Sequence, residues 1–196
     1  AAGEKGAAQV AYFGKKVALI EAAKSLGGAT AGTTVPSKTL RETSLTLTGY
    51  QARRLHGVDI FVNHEATVQD FLRHEENVKV AEQERAKANM VRHGVELIHG
   101  HGAFVGPKEI EVTDAEGKKR RLSAKVILIA TGSRPRKPDD YPNDERIYDS
   151  DTILEIKAIP KTMVVVGGGV IGCEYACIFR ALGTEVHLIH GRDILL

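Results

Sequence analysis

Gly167, Gly169 and Gly172 fall in G-x-G-x-x-G spacing, with Ile171 inside the motif. That spacing serves one kind of chemistry, the approach of peptide backbone to a pyrophosphate. The first glycine lets the chain reverse, the second admits the phosphates, and the third lets a helix pack closely on a strand. A glycine-rich structural turn is the competing reading. When Gly3 is laid on Gly172, Ala7 falls on Ala176, Gly14 on Gly183, Val17 on Val186, Leu19 on Leu188 and Ile20 on Ile189. The unit therefore occurs twice. In that register Glu21 stands where a carboxylate accepts hydrogen bonds from an adenosine ribose, unless it is an ordinary solvent-facing acid. His190 takes the same place in the second unit, with Arg192 two residues on. With no carboxylate to repel a 2′-phosphate and two donors on offer, NADP(H) is expected beside NAD(H). The alternative is a surface His and Arg after a strand.

The elements that must position these residues are legible around them. Met163–Val166 is a short β-branched run and reads as a buried parallel strand. Tyr175, Ile178, Phe179 and Leu182 recur at helical spacing, Gly183 punctuates, and Val186–Ile189 is a second strand. The helix N-terminus between them offers unpaired N–H groups and a positive dipole end to phosphates. In the first unit, Ala1–Phe13 reads as a small-residue helix stopped by Gly14, and Lys16–Glu21 as the strand after it. That unit's first strand and first two glycines are expected before Ala1. Two such units on one chain suggest two nucleotides, which a flavoprotein using a nicotinamide requires.

Between the units, Leu26–Val35 reads as a glycine/threonine loop, and Pro36 opens a helix with Lys38 in its first turn. A cation there runs against the helix dipole and needs solvent or a partner. Ala66–His93 is a long polar helix closed by Gly94, with a thin apolar stripe that includes Val68, Phe71, Leu72 and Val78. Val95–Ile98 is a strand. Glu109–Thr113 and Arg121–Ala124 form a hairpin about Ala115-Glu116-Gly117. Val126–Ala130 (VILIA) reads as a buried strand running into Thr131-Gly132-Ser133, and Arg134–Asp149 as a proline-bearing crossover.

Composition excludes several classes. The 196 residues, 42% hydrophobic, are enough for a real core. With 27 basic and 25 acidic residues the net charge is +2, which argues against a nucleic-acid binder. The one basic run, Lys118–Arg121, reads as a solvated edge strand. No apolar run approaches the ~20 residues that cross a bilayer, and the first residues of this sequence do not have the basic-then-apolar pattern expected of a signal peptide. Cys173 and Cys177 are the only cysteines. At that spacing they support neither a disulfide nor a metal site, so a reduced, cytoplasmic protein is expected. His99 and His101 alternate on a strand with no third ligand nearby, so no metal is expected.

Gly27-Gly28 with Pro36-Ser37-Lys38, Ala130-Thr131-Gly132-Ser133-Arg134-Pro135, Tyr148-Asp149-Ser150-Asp151, and Gly169–Ala176 occur in that order. Together they resemble the FAD-dependent pyridine-nucleotide oxidoreductases related to glutathione reductase and dihydrolipoyl dehydrogenase. The resemblance runs the whole length and implies an α/β fold, three-layered, with a parallel sheet and a β-meander. A Rossmann-like FAD-binding domain over 1–149 would lack its first strand and its C-terminal return segment. Residues 150–196 would begin a second Rossmann-like domain, for NAD(P). It further implies that Gly27, Gly28, Thr131, Gly132 and Ser133 lie close to the FAD and that Gly102 and Ala103 touch its adenine. Lys38 is implied to approach the flavin N5 edge and to pair with Glu174, these two being the catalytic candidates.

Most members carry a redox disulfide before Pro-Ser-Lys. This chain has no cysteine between Gly27 and Lys38, and Thr34 occupies the second cysteine's position. Without a dithiol there is no exchange with a disulfide substrate. The resemblance then implies hydride relay between NADH and NADP+ through FAD, in a homo-oligomer when intact. The rival readings are a dihydrolipoyl dehydrogenase-like reductase that has lost its redox cysteines and a non-catalytic nucleotide-binding fragment.

Overall fold

The computed structural model describes residues 1–28, 30–47, 68–136, 138, 141–142 and 144–195. The chain divides into two compact units, Ala1–Gly32 with Val80–Arg134, and Thr33–Lys79 with Pro135–Leu196. These limits differ from the boundary expected near Asp149.

In the first unit α1 (Ala2–Tyr12) leads into β1 (Ala18–Glu21). Gly14, at φ +71°, ends the helix as expected, its N–H donating to the Ala11 carbonyl at 2.8 Å. β1 pairs in parallel with β2 (Glu96–His99), setting Leu19 against Leu97 and Glu21 against His99. Ala7 and Ala8 of α1 pack with Leu26, Val95, and Ala86 and Met90 of α3 (Val68–Arg92). The helix expected from Ala66 is seen from Val68, and Ala66 and Thr67 lie outside the described residues. β3 (His101–Gly106), β4 (Glu109–Thr113) and β5 (Lys119–Ser123) form an antiparallel meander in chain order. β5 is the exposed edge strand its basic run suggests. Lys119 and Arg121 both reach Glu111, at 2.9 and 3.4 Å, and pull that carboxyl below the usual range.

Two expectations fail in this part of the chain. Val126–Ala130 is neither strand nor buried, with Val126 85% and Ile129 68% exposed. A strand needs a neighbour for its N–H and C=O groups, and among the described residues none pairs with this segment. It runs instead along the small-residue face of α1. A Cβ added at Gly6 would meet Leu128 at 2.7 Å, and one at Gly3 would meet Ala130 at 3.2 Å. The loop expected over Leu26–Val35 is also partly helical, with a π-helical turn (Thr30–Thr34) running straight into α2 (Val35–Leu47). Gly27 and Gly28, at φ +106° and +51°, make the reversal. The residues after them are then free to coil, and Thr39 and Thr43 return their hydroxyls to the carbonyls four residues back.

In the second unit β6 (Thr162–Val166), α4 (Val170–Ala181) and β7 (Glu185–Ile189) form a strand–helix–strand unit with β6 and β7 parallel, Val166 opposite Ile189. Tyr175, Ile178 and Phe179 of α4 bury against Leu40 of α2 and against Ile153 and Ile156, in and just after a short 3-10 turn (Thr152–Glu155). The strand expected to be fully buried is half so. Met163 and Val165 turn inward, whereas Val164 and Val166 lie open. Apolar residues alone do not bury a strand. Each face needs a layer upon it, and α4 covers one.

Candidate functional site

The turn after β6 is built by its glycines. Gly167, at φ +112°, donates its N–H to the Ile189 carbonyl at 2.9 Å, completing the parallel pairing. Gly169 is the extended N-cap residue of α4, with nothing within 4 Å of where its side chain would stand. Gly172 has the opposite character, since a Cβ there would run into the Gly167 carbonyl oxygen. One glycine keeps a face open to an incoming anion and another lets the helix seat against the strand end. The first turn of α4 carries no acid, and Ile171 stands exposed beside it. Its leading N–H groups have no partner within the helix. The geometry suits a pyrophosphate.

His190 and Arg192 follow β7. Gly168 donates its N–H to His190 Nδ1 at 3.0 Å, and His190 Nε2 lies 3.1 Å from the Ile194 carbonyl oxygen. Arg192 is exposed. The histidine is therefore turned into the protein, and Gly168, the middle residue of Gly-Gly-Gly, has a task that its spacing did not reveal.

Lys38 and Glu174, far apart in sequence, are brought together by α2 packing on α4. Lys38 Nζ sits 2.7 and 2.9 Å from the two Glu174 oxygens. Buried Ser37 lies 3.3 Å from the same carboxylate through Oγ, which also reaches the Thr34 carbonyl at 3.0 Å. Glu174 is 14% exposed and Lys38 58%, so the carboxylate is fixed and the ammonium faces outward. Sequence reading passed over Ser37, although its place beside Lys38 at a helix start marks it. Next to Glu174, Tyr175 is buried with its hydroxyl 3.5 Å from the Ser150 carbonyl oxygen. Burial, and then Glu174, Glu75 and Asp151, push its phenol well up. Burial likewise raises the carboxyls of Glu75 and Asp151, and among the described residues Glu75 Oε1 has no hydrogen-bond partner.

In the first unit Gly3 lies against Leu19 and Ala130. Glu21 ends β1 with Oε1 taking the Ala23 N–H at 2.9 Å, and its other oxygen makes no hydrogen bond among the described residues. Gly102 packs on Ile20 and Ile110, with Ala103 exposed beside it. Gly132 has φ +75°, and Thr131 and Ser133 are exposed at its flanks. Among the described residues no cluster of three His, Cys, Asp or Glu could hold a metal, and no helix is long and apolar enough to cross a membrane.

The chain is similar to known proteins. The family model for pyridine nucleotide-disulphide oxidoreductases matches residues 1–196. A soluble pyridine nucleotide transhydrogenase of Mycobacterium tuberculosis is 44% identical over 197 residues, covering 99% of this chain and 42% of the relative. One from Colwellia psychrerythraea is 41% identical, with the same shares covered. Among solved structures, LpdA from Mycobacterium tuberculosis superposes with a TM-score of 0.83 at 26% identity, over 98% of this chain and 42% of that one. The chain thus spans less than half the length of the curated relatives it matches.

Proposed function

We propose, given that the chain belongs to the pyridine nucleotide-disulphide oxidoreductase family, that it binds FAD and a nicotinamide nucleotide and that the whole protein passes hydride between NAD(H) and NADP(H). Bound flavin would supply the redox chemistry, taking hydride from one nicotinamide and giving it to the other. The chain's own residues bind, orient and compensate charge. Gly167, Gly169, Ile171 and Gly172 present backbone to the nicotinamide nucleotide's pyrophosphate, with Arg192 beside its ribose. Gly3, Glu21, Gly27, Gly28, Gly102, Ala103, Thr131, Gly132 and Ser133 hold the FAD. In this reading Glu174 fixes Lys38 so that an ammonium is ready to offset the negative charge arriving with hydride.

One observation carries the choice of transhydrogenation over disulfide reduction. Thr34, not a thiol, lies beside the Lys38–Glu174 pair, joined to it through Ser37. Cys173 and Cys177, both on α4, are the only sulfhydryls. The test is to purify the protein with FAD and offer NADH together with either thio-NADP+ or lipoamide. Reduction of thio-NADP+ alone is expected, and turnover of lipoamide would overturn the reading. Two free cysteines, one of them exposed, fit a reducing cytoplasm. We place the intact protein there as a homo-oligomer, to be read by size-exclusion chromatography with light scattering.

A further inference from the structure

His190 occupies the position from which a side chain after the second strand meets the adenosine ribose, yet both its ring nitrogens are engaged by backbone groups of the chain itself. Nδ1 accepts the Gly168 N–H at 3.0 Å. A nitrogen that accepts carries no proton, which places the ring hydrogen on Nε2. That hydrogen points to the Ile194 carbonyl oxygen 3.1 Å away. The ring also lies close to the glycine. A Cβ on Gly168 would come 2.8 Å from His190 Cγ and 2.5 Å from Leu195 Cδ2. Both distances are closer than packed atoms allow. The imidazole and Leu195 thus leave no room for a side chain at the middle glycine.

We infer that His190 is a positioning residue, a latch that joins the Gly167–Gly169 turn to the 191–195 segment, and that it does not itself bind a nucleotide. It ties up the Gly168 amide, which leaves the N-terminal N–H groups of α4 to meet the pyrophosphate. By holding Ile194 it also fixes the short stretch that bears Arg192. Since both ring nitrogens are taken by backbone groups, neither is offered to a 2′-phosphate. Of His190 and Arg192, it is then Arg192 that discriminates between NADP(H) and NAD(H).

The latch is tested on the full, nucleotide-free chain labelled with 15N. A scalar coupling across the hydrogen bond between the Gly168 nitrogen and His190 Nδ1 is expected, with Nε2 as the protonated ring nitrogen. His190→Ala should abolish the coupling and speed exchange of the Gly168 amide. His190→Asn, which keeps an acceptor, should restore much of the protection. A ring protonated on Nδ1, or Gly168 exchange unchanged by His190→Ala, overturns the latch. The selectivity half rests on the nucleotide-binding reading and uses titration with NADPH and NADH. Arg192→Ala should weaken NADPH about tenfold, the loss of one hydrogen bond to a charged group, and leave NADH unchanged. His190→Asn should leave the NADPH-to-NADH ratio where it was, and a loss confined to NADPH in that variant overturns the inference. If the unaltered chain binds neither nucleotide, the nucleotide reading falls, while the coupling measurement still decides the latch.

Discussion

At the scale of single residues, the site separates positions that cannot accept an atom from positions that can. Gly172 sits hard against the Gly167 carbonyl, whereas Gly169 has open space and φ −80°, a value any residue adopts. Gly172→Ala should therefore cost about 3 kcal/mol of stability, since helix and strand end must move apart. Gly169→Ala should change stability by no more than about 0.5 kcal/mol, yet remove nicotinamide-nucleotide binding by putting a methyl group where the phosphates approach. Chemical denaturation paired with nucleotide titration separates the two effects. Glu75 gives a residue-scale prediction of another kind. Burial raises its carboxyl, with Glu76 adding to the rise and Lys79 opposing it. An acid whose folded-state value is raised binds its proton more tightly folded than unfolded, so stability falls as pH climbs from the ordinary glutamate range through the raised value. Glu75→Gln should therefore stabilise the protein at neutral pH, and the gain should vanish below the ordinary glutamate range. Thermal unfolding of both proteins across pH 4 to 8 reads this directly, and a pH-independent difference would contradict it.

Among the elements, the glycine-stopped helices and the hairpin follow local rules, and Val126–Ala130 does not. Its five apolar residues have the propensity of a strand and, among the described residues, no strand beside them, so Val126, Leu128 and Ile129 remain exposed. A short, uncharged, β-prone run in the open invites pairing between chains. Ile129→Lys should lower light scattering at high protein concentration and, at an already exposed position, alter stability by no more than about 0.5 kcal/mol. The same reasoning accounts for β6, which keeps its parallel partner but has one helix over it and so buries alternate residues.

Across the whole molecule there are two compact units, each with its own core. Met90 and Ile178 are the most deeply buried side chains of the two clusters. Met90→Ala and Ile178→Ala should each cost about 2–5 kcal/mol, visible as a lowered unfolding midpoint. Because Ile178 lies on the helix whose N-terminus faces the glycine turn, its loss should weaken nicotinamide-nucleotide binding as well. Calorimetric titration of the variant checks this.

The sequence by itself determined what depends on residue type at fixed spacing. Only glycine fits at 172 and only a φ-permissive residue at 14. No cysteine stands between 27 and 38, so thiol exchange there is closed, and strand–helix–strand order follows from apolar periodicity. Tertiary structure alone decided where side chains find their partners. His190 could have faced ligand or protein, and a backbone amide at Gly168 took it inward. Ser37 is marked in the sequence only by its place at a helix start and Glu75 not at all, since the helices packed around them make one a hydrogen-bond partner of Glu174 and leave the other a buried acid. Spacing is written along the chain, whereas hydrogen-bond partners and burial are set by atoms distant in sequence, which is why the glycine turn was legible and the latch behind it was not.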